Sequence, residues 1–300
     1  MDLYYIMLYF FVYGFLGWCT EVAFAAVKEQ RFVNRGFLNG PICPIYGVGV
    51  SAVVFFLTPY NNNLIVLYIA SVIIVTVIEG LTGWIMDVIF HNKWWDYSDM
   101  PLNIGGYVCL TFSLIWGVAC VAIMKFIHPL IHKVLTFIPH TIGIIIIVIL
   151  TAALIADLWV TVSAILKFNR HLEGMERIAK ELHEISDQIG DDISEKVFLA
   201  LEIQNNNALE LREFKMEKEE EHKYRIEELK KRYNDIVGQI PANTFRLVKA
   251  FPKMQSRIHN TQFESFRRIK DEIKVERKKI KELKKELKKE FKKNLKNNQM

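Results

Sequence analysis

RFVNRGFLNGPICPIYGVG, residues 31 to 49, lies between two apolar stretches and carries Asn, Arg, Gly and Pro where a membrane-spanning pattern tolerates few of them. Backbone exposed to lipid cannot leave amides and carbonyls unpaired, so a Gly/Pro-broken stretch at membrane depth must face protein or line a water-filled cavity. With charge alongside it, the segment reads as a site. Its flanks decide the fold: Leu3 to Val27, Ile65 to Phe90, Gly105 to Ile127 and Ile138 to Leu166 each have the about 20 residues needed to cross a bilayer as a helix. Ile45 to Leu57 is shorter. Counted from Gly36 through Pro41 and Pro44 it spans as an interrupted helix, and taken alone it is equally a re-entrant piece. The expectation is an all-α polytopic membrane helix bundle of about five segments, with four as the alternative.

Ala23-Phe24-Ala25 imitates a signal-peptidase site, but Asp2 replaces the basic n-region, the apolar run is too long, and Glu21 interrupts it. The first helix is therefore expected to stay. Basic residues collect on the cytoplasmic side of membrane helices. Lys28, Arg31 and Arg35 follow the first helix, and Lys167 and Arg170 follow the last, so five spans put the N-terminus outside and the tail in the cytoplasm. Lys125 and Lys133 run against this orientation.

At Lys167 the composition turns from apolar to charged, which divides the chain into a membrane domain, 1–166, and a charged helical tail, 167–300. Ile178, Leu182, Ile185 and Ile189, and again Ile226, Leu229, Tyr233, Ile236 and Ile240, recur at spacings of three and four, the seam of a coiled coil. Gly190 and Gly238 to Pro241 are the expected interruptions, giving a helical hairpin. Residues 267–296 form a Lys-dominated helix with Ile273, Ile280, Leu283 and Leu287 on one side, and they account for the net charge of +5. Such a stretch reads as a solvated helix face, as a patch for anionic lipid, or as a nucleic-acid arm, the last weakened by the lack of interleaved aromatics for base stacking.

The membrane half contains an internal echo. Gly17-Trp18-Cys19-Thr20-Glu21-Val22 returns as Gly83-Trp84-Ile85-Met86-Asp87-Val88, Leu38-Asn39 as Leu102-Asn103, Cys43 as Cys109, and Tyr46-Gly47 as Trp116-Gly117. Both units, about 4–57 and 65–127, run helix, polar loop, helix in one direction, which suggests a parallel duplication, with a fifth helix at 138–166. Chance similarity among biased membrane sequences is the competing explanation. A real duplication brings both polar loops to one face. Glu21, Glu79, Asp87 and Asp157 lie in or near apolar helices, where each charge costs about 2.5 to 3.5 kcal/mol and must find a partner. Glu21 with Arg35 is the first pairing expected; it is either a structural bridge or part of a solute pathway. Asp157 reads equally as a protonated or snorkelling carboxylate and as a functional one. Trp94-Trp95-Asp96-Tyr97-Ser98 suits an interfacial anchor, although Asp96, Asn103 and Gly105-Gly106 just beyond also suit a ligand-facing wall.

Nothing in the sequence marks a catalytic residue, a cofactor or a metal centre. There is no G-x-S-x-G, H-E-x-x-H or paired C-x-x-C. His128 and His132 are four apart, but Pro129 argues against a shared ligating face. Cys19, Cys43, Cys109 and Cys120 sit in or beside apolar helices, where small buried thiols rather than disulfides are expected.

Gly17-Trp18 with Glu21, Phe32-Val33-Asn34-Arg35-Gly36-Phe37-Leu38 leading to Gly40-Pro41, Pro44 and Tyr46-Gly47 together resemble the type IV ABC-transporter permease family of bacterial integral membrane proteins. Glu79, Thr82-Gly83, Trp95-Asp96-Tyr97-Ser98, Asn103, Gly106, Cys109-Leu110 and Trp116-Gly117 extend the resemblance over most of residues 1–165; the tail matches it only loosely. The resemblance implies a multi-pass subunit of the bacterial cytoplasmic membrane that moves a small solute when a separate nucleotide-binding ATPase subunit supplies energy. The chain carries no G-x-x-x-x-G-K-[ST] loop of its own, and no EAA-type coupling loop. Substrate-pathway candidates are Glu21, Asn34, Arg35, Asn39, Glu79, Asp87, Asp96 and Asn103. Membrane lipid and a second copy joined through the tail are the further partners expected. The alternative is a non-transporting membrane scaffold or signalling protein whose coiled-coil tail is the output. A weaker third reading is an intramembrane enzyme acting on a lipid, for which no nucleophile stands out.

Overall fold

A computed structural model of the chain describes residues 2–202 and 208–268, with the side chains of 190–219 and of residue 242 outside the description. The Lys-rich expectation at 267–296 therefore lies almost wholly outside the described residues. Two compact units emerge: Met1–Asn169 with Pro241–Ile258, and Arg170–Ile240 with the described residues from His259 onward.

The first unit opens with α1 (Leu3–Glu29), which stops where Gln30 turns left-handed at φ 54°. Residues 30–43 then run without helix until Pro44 starts α2 (Pro44–Leu57), proline being suited to a first helical position because its missing N–H is not needed there. The Cys43 amide donates to the carbonyl of Gly14, halfway along α1, at 2.9 Å. The non-helical segment thus covers half the length of α1, and the 14 residues of α2 cover the rest. At about 1.5 Å per residue α2 is roughly 21 Å long, short of the about 30 Å of a hydrocarbon core. Among the described residues four helices are long and apolar enough to cross a membrane, and the fifth expected segment is this short one.

Asn63 caps α3 (Leu64–Phe90) by accepting from the Val66 amide at 3.2 Å, and His91 ends it at φ 52°. A polar loop follows, carrying β1 (Asn92–Lys93) and the antiparallel pair β2 (Asn103–Ile104) and β3 (Val108–Cys109). The third long span starts at Leu110, not at Gly105 as the apolar run suggests. Gly105 and Gly106 adopt φ +61° and +76° and turn a hairpin, so helix cannot begin until β3 is complete. That span is α4 (Leu110–Ala122), a π-turn at Ile123–Ile127, and α5 (His128–Thr136). Pro129 sits in the first turn of α5 and does not break it, so His128 and His132 do share a helix face, contrary to expectation.

Last of the membrane-span candidates among the described residues is α6 (His140–Glu202), whose early residues present apolar side chains such as Ile155 and Trp159 outward. It continues through Gly190, which the sequence suggested as a break; one glycine costs a helix only about 1 kcal/mol. Chain order in both halves is helix, polar loop, returning helix, and Cys43 and Cys109 each stand immediately before the returning helix. Close approach of α1 to α2 uses glycines: Gly14 lies under Ile42, Gly17 under the Tyr46 ring, and Gly47 against the Phe10 backbone. The core around them contains Leu8, Tyr9, Val50, Val53, Val54 and Leu67.

The second unit contains the later residues of α6 and α7 (Ala208–Gly238), packed antiparallel through Ile178, Ile185 and Leu229. Arg232 pairs with Glu181 at 3.2 Å and Arg225 reaches Gln188 at 3.4 Å across the same pair. Helix α7 ends at Gly238, before Pro241. Residues 241–258, which composition assigns to the tail, belong instead to the first unit, as α8 (Ala242–Ala250) and β4 (Gln255–Ser256); β4 pairs with β1.

A Cβ on Gly47 would fall 2.5 Å from the Phe10 carbonyl oxygen, which is backbone and cannot step aside, whereas one on Gly49 meets nothing within 4 Å. Gly47→Ala should therefore lower the thermal unfolding midpoint in detergent, at an overpacking cost of about 1–3 kcal/mol. Gly49→Ala should leave the midpoint unchanged or raise it.

Candidate functional site

In the first polar loop, Asn34 and Asn39 do the work of a missing helix. The Asn34 Oδ1 accepts from Trp18 Nε1 at 2.7 Å and from the Gly36 amide at 3.0 Å, while its Nδ2 donates to the Asn39 carbonyl at 2.9 Å. Asp157, from α6, receives the backbone amides of Asn39 (3.1 Å) and Gly40 (2.7 Å) and the Asn39 side chain (2.8 Å). Arg246 of α8 completes the arrangement, donating to Asn39 Oδ1 and to the carbonyls of Gly36 and Phe37 at 2.8–3.1 Å. Burial lowers the pKa of this guanidinium from its usual value, and the Asp157 carboxylate opposes the shift.

Glu21 and Arg35 stand together as expected, with Oε2 and Nε 3.3 Å apart. The pair is close without being aligned: Arg35 Nε is buried and makes no hydrogen bond. Glu21 instead accepts from the Tyr46 hydroxyl at 2.7 Å, and Tyr46 packs edge-on against Trp116 of α4.

The second loop builds a matching set. Glu79 accepts from the Tyr97 hydroxyl at 3.2 Å, and Tyr97 lies near enough to feel the charges of both Glu79 and Glu21. Tyr46 likewise feels both carboxylates. Two glutamates, one from each helix–loop–helix unit, thus face two tyrosines. Asp96 turns inward on its own loop, accepting from the Ser98 amide (3.0 Å) and hydroxyl (2.6 Å), with Lys93 at 3.4 Å. Burial acts to raise the Asp96 carboxyl, but Ser98 and Lys93 outweigh it and hold the group below the usual carboxylate range. Asn103 braces the hairpin through Ser98, Met100 and Gly106.

Asp87 is 2 % exposed at its side chain and bonds Tyr107 Oη and Arg257 at 2.5 Å each. Arg31, one of the basic residues that follow the first helix, pairs locally with Glu29 at 2.6 Å. Trp94 is buried against Phe37, Phe90 and Phe251 at 5.0–6.2 Å, which removes it from any headgroup anchor and brings the two polar loops into contact.

Of the eight residues singled out in the sequence, Glu21 and Glu79 each meet a tyrosine and Arg35 stands beside Glu21, while Asn34, Asn39, Asp96 and Asn103 hold loop conformation and Asp87 is tied to Arg257. Arg246, Arg257 and Tyr107 escaped the sequence reading, and Tyr46 and Tyr97 entered it only as parts of motifs, not as site residues. The two arginines did leave a signal, because Pro241 and Pro252 interrupt an otherwise continuous helical tail around them. Among the described residues no group of three or more His, Cys, Asp or Glu could hold a metal ion.

The model of a family described as "Putative ABC-transporter type IV" matches residues 8–162, which takes in most of α1, α2 to α5, both polar loops and the first part of α6. The chain belongs to this ABC-transporter type IV family. Neither a curated protein nor a solved structure matches it. The family match covers Glu21, Arg35, Tyr46, Glu79, Tyr97 and Asp157, and ends well before Arg246 and Arg257. The loop anchors of this ABC-transporter type IV protein therefore come from two sources, one inside the family region and one beyond it.

Asp157→Ala would leave the Asn39 and Gly40 amides without their acceptor, at about 1–3 kcal/mol for each unpaired group. Thermal unfolding should fall accordingly, and amide exchange should accelerate at residues 36–40 before it does elsewhere. Because the Asp96 pKa is lowered on folding, its contribution is complete above about pH 4 and is lost as pH falls through the folded value. Asp96→Asn should remove that acid-labile share of stability from a pH series of unfolding midpoints.

Proposed function

We propose that this chain is a permease subunit that moves a small polar or charged solute through its first unit, driven by a separate nucleotide-binding ATPase subunit. The observation that carries this reading is Glu79. It stands near the middle of α3, a 27-residue helix apolar enough to cross a membrane. An ionised carboxylate there costs about 2.5 to 3.5 kcal/mol. Tyr97 gives it one hydrogen bond, and among the described residues no cation pairs with it. A carboxyl group kept there without a counter-charge is suited to meet a cation brought by the solute. Glu21, bonded by Tyr46, and Arg35 beside it, with the Arg35 Nε lacking a hydrogen bond, add groups of both signs.

Residues 241–258 supply the coupling element in this reading. Arg246 holds the first loop through its backbone carbonyls, while Arg257 and β4 hold the second through Asp87, Tyr107 and β1. Loosening this one segment frees both loops together, a role that an EAA-type loop would otherwise fill. This reading puts the protein in the bacterial cytoplasmic membrane with the second unit in the cytoplasm, lipid against the outward apolar faces, and coiled-coil contacts of α6 and α7 available for a second copy. In this reading ATP hydrolysis belongs to the separate subunit. The same segment favours a second reading, a non-transporting scaffold or signalling protein in which the docking of 241–258 is the regulated event.

Flux of candidate solutes into liposomes, with and without a candidate ATPase subunit, separates the two readings. Glu79→Gln should cut flux by about tenfold or more, equivalent to roughly 1.4 kcal/mol in a barrier, with little change in unfolding midpoint. Undiminished flux in that variant would sink the permease. Loss of a cellular phenotype in Arg246→Ala/Arg257→Ala, with none in Glu79→Gln, would establish the scaffold.

A further inference from the structure

At the end of α1 remote from the polar loops, Tyr5, Tyr9 and Tyr13 follow one another at intervals of four and lie along one side of the helix. This side meets α5. Tyr9 Oη and His132 Nδ1 are 2.6 Å apart, and Tyr13 Oη and His128 Nδ1 are 2.9 Å apart, so both imidazoles are fixed by phenols at the same ring position. Between the two helices and the end of α2 is a cavity of about 330 Å³ lined by Asp2, Tyr5, Tyr9, Thr58, His128 and His132. That volume lies within the usual range of small-molecule sites, about 300–1,000 Å³.

Four of the six lining residues are aromatic rings, and they pack against one another at several angles. Tyr5 meets His132 edge-on at 5.4 Å, Tyr9 meets His128 edge-on at 4.9 Å, and the two imidazoles stack at 6.1 Å. The charged lining group is a carboxylate. Asp2 occupies the N-cap position of α1 but makes no side-chain capping bond, so its carboxylate is not consumed by the helix. Lys125, on the adjoining π-turn, directs its ammonium to the Asn61 carbonyl instead.

We propose that this cavity binds a small organic ammonium cation. Tyrosine faces attract a cation through the ring quadrupole, and a carboxylate at the rim supplies the counter-charge. The same two features repel an anion. A metal ion would need more than the histidine pair, and among the described residues no third ligand gathers with it. The site stands at the far end of α1 from Glu21, and its occupancy does not require that the chain transport anything.

Calorimetric titration of the full chain in dodecyl maltoside tests this with choline and with 3,3-dimethylbutan-1-ol, which has the same shape and no charge. Choline should bind, and the alcohol should bind more weakly by about tenfold or more. Tyr5→Leu and Asp2→Asn should each weaken choline by roughly tenfold, and Tyr5→Phe, which keeps the ring, should bind like the unaltered protein. Unfolding midpoints check that these variants are folded. Equal affinity for choline and the alcohol would overturn the proposal, as would the absence of choline binding or its persistence in Tyr5→Leu. Zn²⁺ binding that disappears in His128→Ala/His132→Ala, in a protein that does not take choline, would replace it with a metal site.

Discussion

A stretch of backbone without helix, lodged beside apolar helices, has to have its amides and carbonyls paired by something else, and residues 30–43 place that demand on the rest of the first unit. Helix supplies its own pairing; this segment borrows it. Asn34 mimics a turn from within, Asp157 accepts two successive amides from α6, and Arg246 donates to two carbonyls from α8. The acidic and the basic anchor address opposite backbone polarities, so neither can substitute for the other. Once the segment is pinned, Arg35 and Tyr46 are brought to Glu21, and Cys43 is set against the middle of α1.

The two helix–loop–helix units reach a similar end by different means. In each, a glutamate on the outgoing helix is met by a tyrosine from further along the chain: Glu21 by Tyr46 on the returning helix, and Glu79 by Tyr97 in the loop itself. The first loop solves its pairing with side chains from elsewhere, whereas the second uses a hairpin, two left-handed glycines and its own Asp96 and Asn103. What they share is a buried meeting point, Phe37 on Trp94, covered by Phe251.

Much of the helical framework was legible because hydropathy and length carry it directly. Residues 3–27 and 65–90 fall almost on the observed α1 and α3, and the seams at Ile178, Ile185 and Leu229 do pack together. Proximity of Glu21 and Arg35 was legible for a similar reason, since an isolated charge in an apolar helix has few partners within reach. The start of α4 was not, because Gly105 and Gly106 are as common in membrane helices as in turns, and only their backbone angles distinguish the two. Least visible was the membership of residues 241–258 in the first unit. Composition ranks that segment with the charged tail, and its contacts depend on two arginines and a two-residue strand that no periodicity announces. Asp157 was seen as an isolated charge, though two of its partners are backbone amides, which leave no trace in a side-chain pattern.

The π-turn at Ile123–Ile127 has a consequence for helical phase. A wider turn admits one residue more than an α-helix would over the same rise, so everything after it is advanced by about 100° about the helix axis. Without that advance, α5 would present a neighbouring set of positions to α1, and the phenols of Tyr9 and Tyr13 would find Ile127 and Ile131 where the imidazoles now stand. The aromatic contact between α1 and α5 is thus set by an insertion one residue long, located wholly outside the residues that make the contact.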